Sequence, residues 1–131
     1  MNAELISRGN HRTTWTSTTD SEVVKIPRYN TRFDHRAGLV SNQQEWEIYH
    51  ELASPKLQQF LCVPLLLEYG GLVLVMERGE PITREELPVD GIPSILVKND
   101  NTYPNWVKIN GVYKRCDYHA IYEPLKKKRR P

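Results

Sequence analysis

Asp100, Asn105 and Asp117 are the side chains of this sequence whose types and spacing best suit chemistry, because one predicted hairpin gathers all three. Val107 to Ile109 alternates apolar and polar residues, Asn110-Gly111 is a strong two-residue turn signal, and Val112 to Cys116 resumes the alternation. The loop before the first strand carries Asp100 and Asn105, and the second strand ends at Asp117. Three oxygen-bearing side chains are thereby pinned near one end of a ribbon. A hard cation such as Mg²⁺ takes oxygen ligands of this kind, commonly one or two carboxylates plus substrate phosphates.

Two further groups could serve the same site. Glu22-Val23-Val24-Lys25-Ile26 reads as a strand stopped by Pro27, with Lys25 on the face opposite Val24 and Ile26. Ser41-x-x-Gln44 forms a capping box, which predicts a helix from Ser41 to about Ala53, before Pro55. Its apolar stripe is Ile48, Tyr49 and Leu52, and Glu45 lies on the same face. A carboxylate on a buried stripe needs a partner, and Lys25 is the natural one. The alternative leaves Lys25 on a solvated strand face and Glu45 at the edge of the stripe.

The elements that must position these residues are mostly strands. Leu5-Ile6 opens one, Ser7 to Arg12 is a polar bend, and Arg12 to Thr18 is a second strand rich in β-branched and aromatic residues. Phe60 to Tyr69 and Leu72 to Glu77 are apolar runs joined at Gly70-Gly71. With the Lys25 strand they predict a five-stranded antiparallel sheet carrying one helix, an α+β fold. Tyr29 to Leu39 reads as an irregular basic connection. Thr83 caps one or two helical turns, and Pro88 to Pro93 is turn-rich.

The order and spacing of these features resemble those of protein kinases and their small-molecule-kinase relatives. The resemblance matches Asp100 to the catalytic-loop base, Asn105 to the metal-binding Asn, and Asp117-Tyr118-His119 to the Asp-Phe-Gly segment. It matches Lys25 to the phosphate-binding lysine and Glu45 to the helix glutamate that holds it. Gly9 is what remains of the glycine-rich loop, Ser7 and Arg12 standing where two further glycines are expected. Glu77 to Gly79 matches the hinge whose backbone bonds an adenine edge. The resemblance implies ATP and Mg²⁺ as cofactors. It also implies a single domain over residues 1–125, with 5–79 small-lobe-like, 80–125 a reduced large-lobe remnant with a nearly absent helical lobe, and a basic tail at 126–131.

Two functions follow from it. One is a minimal phosphotransferase acting on a protein or small-molecule hydroxyl. The other is an inactive pseudokinase-like module, of a kind found in phage and bacterial proteins, that binds and regulates a protein partner or associates with a second copy of itself. Lys98 and Asn99 replace the usual His-Arg before the catalytic Asp, and His119 replaces the glycine; with a nearly absent helical lobe there is no evident substrate platform, so the second function competes with the first.

Composition narrows the classes. The chain has 131 residues, 39% hydrophobic and 26% charged, which suits one modest core. A net charge of +2 gives no global field for nucleic acid, which ranks last among partners. The basic charge concentrates in Lys126 to Arg130, read as a solvated end, with contact to phosphate, an anionic membrane or an acidic partner as the alternative. Cys62 and Cys116 sit in apolar runs and read as buried, reduced thiols. No stretch has the length of a membrane span and the start shows no signal-peptide pattern, so a cytoplasmic protein is expected.

Overall fold

The computed structural model describes residues 3–97 and 105–129. Asp100, with Lys98 and Asn99, lies outside the described residues. The protein is mixed α+β, built on two antiparallel sheets. The first holds β1 (Leu5–Arg8), β2 (Arg12–Thr16), β3 (Glu22–Pro27), β4 (Pro64–Glu68) and β5 (Val73–Glu77). Its spatial order is β1-β2-β3-β5-β4, so β5 inserts between β3 and β4. The second sheet is β6 (Glu80–Pro81), β7 (Trp106–Ile109) and β8 (Val112–Arg115), in that order.

The strand signals translate directly. Asn110 and Gly111 both take positive φ, +49° and +80°, as a primed hairpin turn requires, and Trp106 pairs with Arg115 at the other end of that ribbon. In β3 the buried residues are Val23, Lys25 and Pro27, so the lysine sits on the more buried face. Leu74 and Met76 of β5 alternate the same way.

Helix α1 (Arg32–Glu47) starts nine residues earlier than the Ser41 box suggests. Thr31 is the cap, its hydroxyl accepting from the Asp34 N–H at 3.0 Å, and Ser41 is a buried interior residue. The stretch read as irregular is therefore mostly helix. A π-helical turn, Ile48–Leu52, follows, and Ser54 caps the short helix α2 (Pro55–Gln58).

The run read as one strand from Phe60 also divides. Leu61 makes an isolated parallel bridge to Arg115, and β4 begins only at Pro64. Thr83 and Glu86 form a reciprocal cap on the single turn Arg84–Glu86. Helix α3 is Ser94–Val97, and α4 spans Tyr122–Arg129. Lys126 to Arg129 continue a helix that follows buried Leu125, and Lys127 and Lys128 are exposed to solvent. Among the described residues there are four α-helices, where the sequence suggests one helix and the short turn after Thr83. Among the described residues no helix is long and apolar enough to cross a membrane.

The core joins the sheets. Ile48, Leu61, Leu74, Met76, Trp106 and Tyr118 are essentially inaccessible to solvent. Backbone bonds from Cys62 N to Arg115 O (3.0 Å) and from Arg115 N to Phe60 O (2.7 Å) tie the chain before β4 to the end of β8. That junction fixes where Asp117 emerges.

Candidate functional site

Helix α1 lies close on the first sheet because Gly38 permits it. A Cβ there would stand 2.5 Å from the His11 carbonyl oxygen and 2.7 Å from Pro27 Cα. One turn on, Asn42 locks the approach, its amide donating to the backbone oxygens of Lys25 (3.1 Å) and Gly71 (2.8 Å). Glu45 follows on the same face, with no solvent exposure. Lys25 Nζ donates to Glu45 Oε1 at 2.9 Å, as the strand and stripe patterns suggest. Lys25 also donates to the Cys116 carbonyl oxygen.

Glu45 has a second, stronger partner. Arg12, the first residue of β2, donates from Nη1 to Oε1 (2.7 Å) and from Nη2 to Oε2 (3.0 Å). Such a bidentate fork is geometrically specific and stronger than a single bond. Nη1 also reaches Asn42 Oδ1 at 3.0 Å, and Nη2 reaches Asp117 Oδ1 at 3.0 Å. The backbone N–H groups of Tyr118 (2.8 Å) and His119 (3.2 Å) complete the shell of Glu45 Oε2. Burial alone would raise the Glu45 pKa, but Arg12 and then Lys25 reverse this and hold it well below the usual carboxylate value. Arg12 likewise stays charged: burial disfavours the cation, and Glu45 more than compensates.

At the exit of β8, Arg115 Nε donates to the Asp117 carbonyl oxygen (2.8 Å) and Nη1 donates to that of Leu96 (2.7 Å). Tyr118 is buried, its hydroxyl donating to the Cys62 carbonyl oxygen at 2.8 Å. His119 Nδ1 lies 3.0 Å from Asp117 Oδ1. Burial opposes the imidazolium, but hydrogen bonds to Asp117 and Glu45 outweigh it and lift the pKa to about 9. For Asp117, the burial effect is outweighed by His119 and Arg12, and the pKa falls.

These groups close the base of a cleft of about 690 Å³ between the sheets. Gly9, Lys25, Glu77, Gly79, Asn105 and Asp117 all line it. Glu45 sits behind the lining, and Asp100 lies outside the described residues. Glu77 Oε1 accepts from Lys114 Nζ (2.8 Å) and the Val63 N–H (2.9 Å), and the Glu77 N–H donates to the Val63 carbonyl oxygen (2.9 Å). Gly79 lets the chain cross β7 closely, since a Cβ there would lie 2.6 Å from Val107 Cγ2.

Glu45, Asp117 and His119 present ligand atoms within 4.8 Å of one another, a spacing that could hold a metal ion. The donor set nevertheless does not fit Mg²⁺. Both Glu45 oxygens already accept from Arg12, and Asp117 Oδ1 accepts from Arg12 and His119. With Lys25, three cationic groups face two carboxylates, and a divalent ion there would meet net positive charge.

Arg12 is the functional residue whose role the sequence pattern hides. It reads as a departure from a glycine-rich loop, and its one signal is that it opens a strand on the inward-facing phase. Asn42 and Arg115 gave no signal at all. Comparison with protein families, curated proteins and solved structures returned no match.

Proposed function

We propose that this chain is a small kinase-like domain that works as a pseudokinase-like interaction module, binding and regulating a protein partner instead of transferring phosphate. Three features support the kinase-like half. The sheet order β1-β2-β3-β5-β4 with α1 between β3 and β4 suits a kinase small lobe. The Lys25–Glu45 pair is formed, and Asn105 and Asp117 flank a hairpin that opens on the same cleft. The observation that carries the inactive half is Arg12, whose guanidinium spans Glu45 and Asp117 where a phosphotransferase needs its metal. On the outer face of α1, Phe33 (73% exposed) and Val40 (41%) stand one heptad apart, with Tyr29 (69%) just before, an apolar surface suited to a protein partner.

The test is phosphate transfer from γ-labelled ATP with Mg²⁺ or Mn²⁺, to the protein itself and to a generic protein substrate. No incorporation is expected. Incorporation abolished by Asp117→Asn would overturn this reading in favour of an active minimal kinase, which the size and lining of the cleft keep as the second reading.

A further inference from the structure

The geometry points to Arg12 as a built-in counter-cation: it fills the place of a divalent ion between Glu45 and Asp117, so the cleft takes a phosphate-bearing ligand without metal. This rests on the kinase-like reading of the cleft and adds how the ligand is held.

The placement of Arg12 is rigid. It pairs with Pro27 across β2 and β3, and its carbonyl accepts from Gly9 N at 2.8 Å, which closes the bend between β1 and β2. The side chain is 7% exposed and held by three separate residues, Asn42, Glu45 and Asp117. It therefore belongs to the wall of the cleft. A metal would bring two positive charges that depart with the ligand; the guanidinium brings one that stays.

The remaining space suits an anion with an apolar body. At one end the lining includes Arg12, Lys25 and His119, and Arg78 and Arg115 also border the cleft. Of the two carboxylates in the lining, Glu77 is neutralised by Lys114 and Asp117 by Arg12. The apolar part is formed by Ile6, Val23, Val107 and Trp106, whose indole N–H has no acceptor. A flat ring with one or two phosphates, the chemistry of a nucleotide, matches this division. Compact cations at hydrogen-bond range attract phosphate whether or not a divalent ion is present.

Calorimetric titration of the full chain with ADP, once in EDTA and once in Mg²⁺, tests the proposal. The expected result is binding in EDTA with a Kd within about twofold of that in Mg²⁺, because the resident guanidinium already supplies the counter-charge. In Arg12→Ala, binding in EDTA should weaken by about tenfold or more, the worth of a charged bidentate group, and Mg²⁺ or Mn²⁺ should restore part of it. Wild-type binding that requires Mg²⁺ overturns the inference and leaves the kinase-like cleft standing. No ADP binding in either condition overturns both. Where Arg12→Ala does not fold, the wild-type comparison alone decides.

Discussion

Arg12 and Asp117, 105 residues apart in the chain, meet directly at 3.0 Å between Nη2 and Oδ1. Glu45 accepts from Arg12, Lys25 and the backbone of Tyr118 and His119, so one fully buried side chain joins β2, β3, α1 and the exit of β8. The position of Asp117 in the cleft is a consequence of that junction.

Replacing Glu45 therefore has an outcome set by what remains. Glu45→Ala leaves the buried cations Arg12 and Lys25 without their main partner, and truncating one member of a buried charge network costs about 3–5 kcal/mol. Urea unfolding should show a loss of this size. A loss below about 1 kcal/mol, the range of exposed ion pairs, would mean that the network is not formed in solution.

Gly38 offers a test in which two effects oppose. Alanine in a helix interior is favoured over glycine by about 1 kcal/mol. Here the added methyl would meet backbone at 2.5 Å and 2.7 Å, which a side-chain rotation cannot relieve. Gly38→Ala is expected to destabilise by about 1–3 kcal/mol, as overpacking does, while helix content in the far-ultraviolet circular dichroism is retained. A stabilised Gly38→Ala protein would show that α1 stands further from β2 and β3, and with it Glu45 from Lys25.

Much of this arrangement is legible in the chain, and the exceptions share a cause. Strands β3, β5, β7 and β8 and the Asn110-Gly111 turn follow from alternation and turn chemistry, which act between neighbours. The Lys25–Glu45 contact is legible because Glu45 sits on an apolar stripe where a carboxylate demands a partner, and Lys25 projects from a neighbouring strand. Arg12 is not, because its partners lie far off in sequence and nothing local names them. The start of α1 was obscured by two competing caps: Ser41 satisfies the box pattern, yet Thr31 is the residue that bonds Asp34 N. The segment before β4 misleads differently. Phe60 to Val63 is apolar enough for a strand, but the parallel bridge from Leu61 to Arg115 diverts it toward the second sheet. The helix through Lys126 to Arg129 is hidden by the charge run, because the buried residue Leu125 precedes it.

Neither cysteine is in a disulfide, and their reactivity follows from burial. Burial, and then the neighbouring Cys116, push the Cys62 thiol well above its ordinary value, and burial lifts Cys116 to about 11. The thiolate is the reactive form, so both should resist alkylation in the native protein at pH 8. A chromogenic disulfide reagent should count no rapid thiol natively and two in guanidinium chloride. A fast native thiol at Cys116, which borders the cleft, would mean that the floor around Lys25 opens to solvent.

His119 gives the site a pH dependence with a defined sign. Its native pKa of about 9 lies above the ordinary 6.5, so its stabilisation is complete below about pH 6.5 and is lost as pH rises through 9. Glu45 and Asp117 are shifted the other way; their contribution is present above the ordinary carboxylate values and lost as pH falls through their lowered native ones. Stability should therefore plateau between about pH 4.5 and 6.5 and decline on both sides. The alkaline decline belongs to an imidazole that is 35% exposed, so solvent screening holds it to about 1 kcal/mol. Melting temperatures across this range measure it directly. His119→Gln keeps a polar side chain beside Asp117 but cannot titrate, and it should flatten the profile between pH 6.5 and 9 while leaving the part of the acid limb that Arg12 and Lys25 impose on Glu45. An unchanged alkaline limb in that variant would assign the titration to another group and detach His119 from the Arg12–Glu45–Asp117 junction.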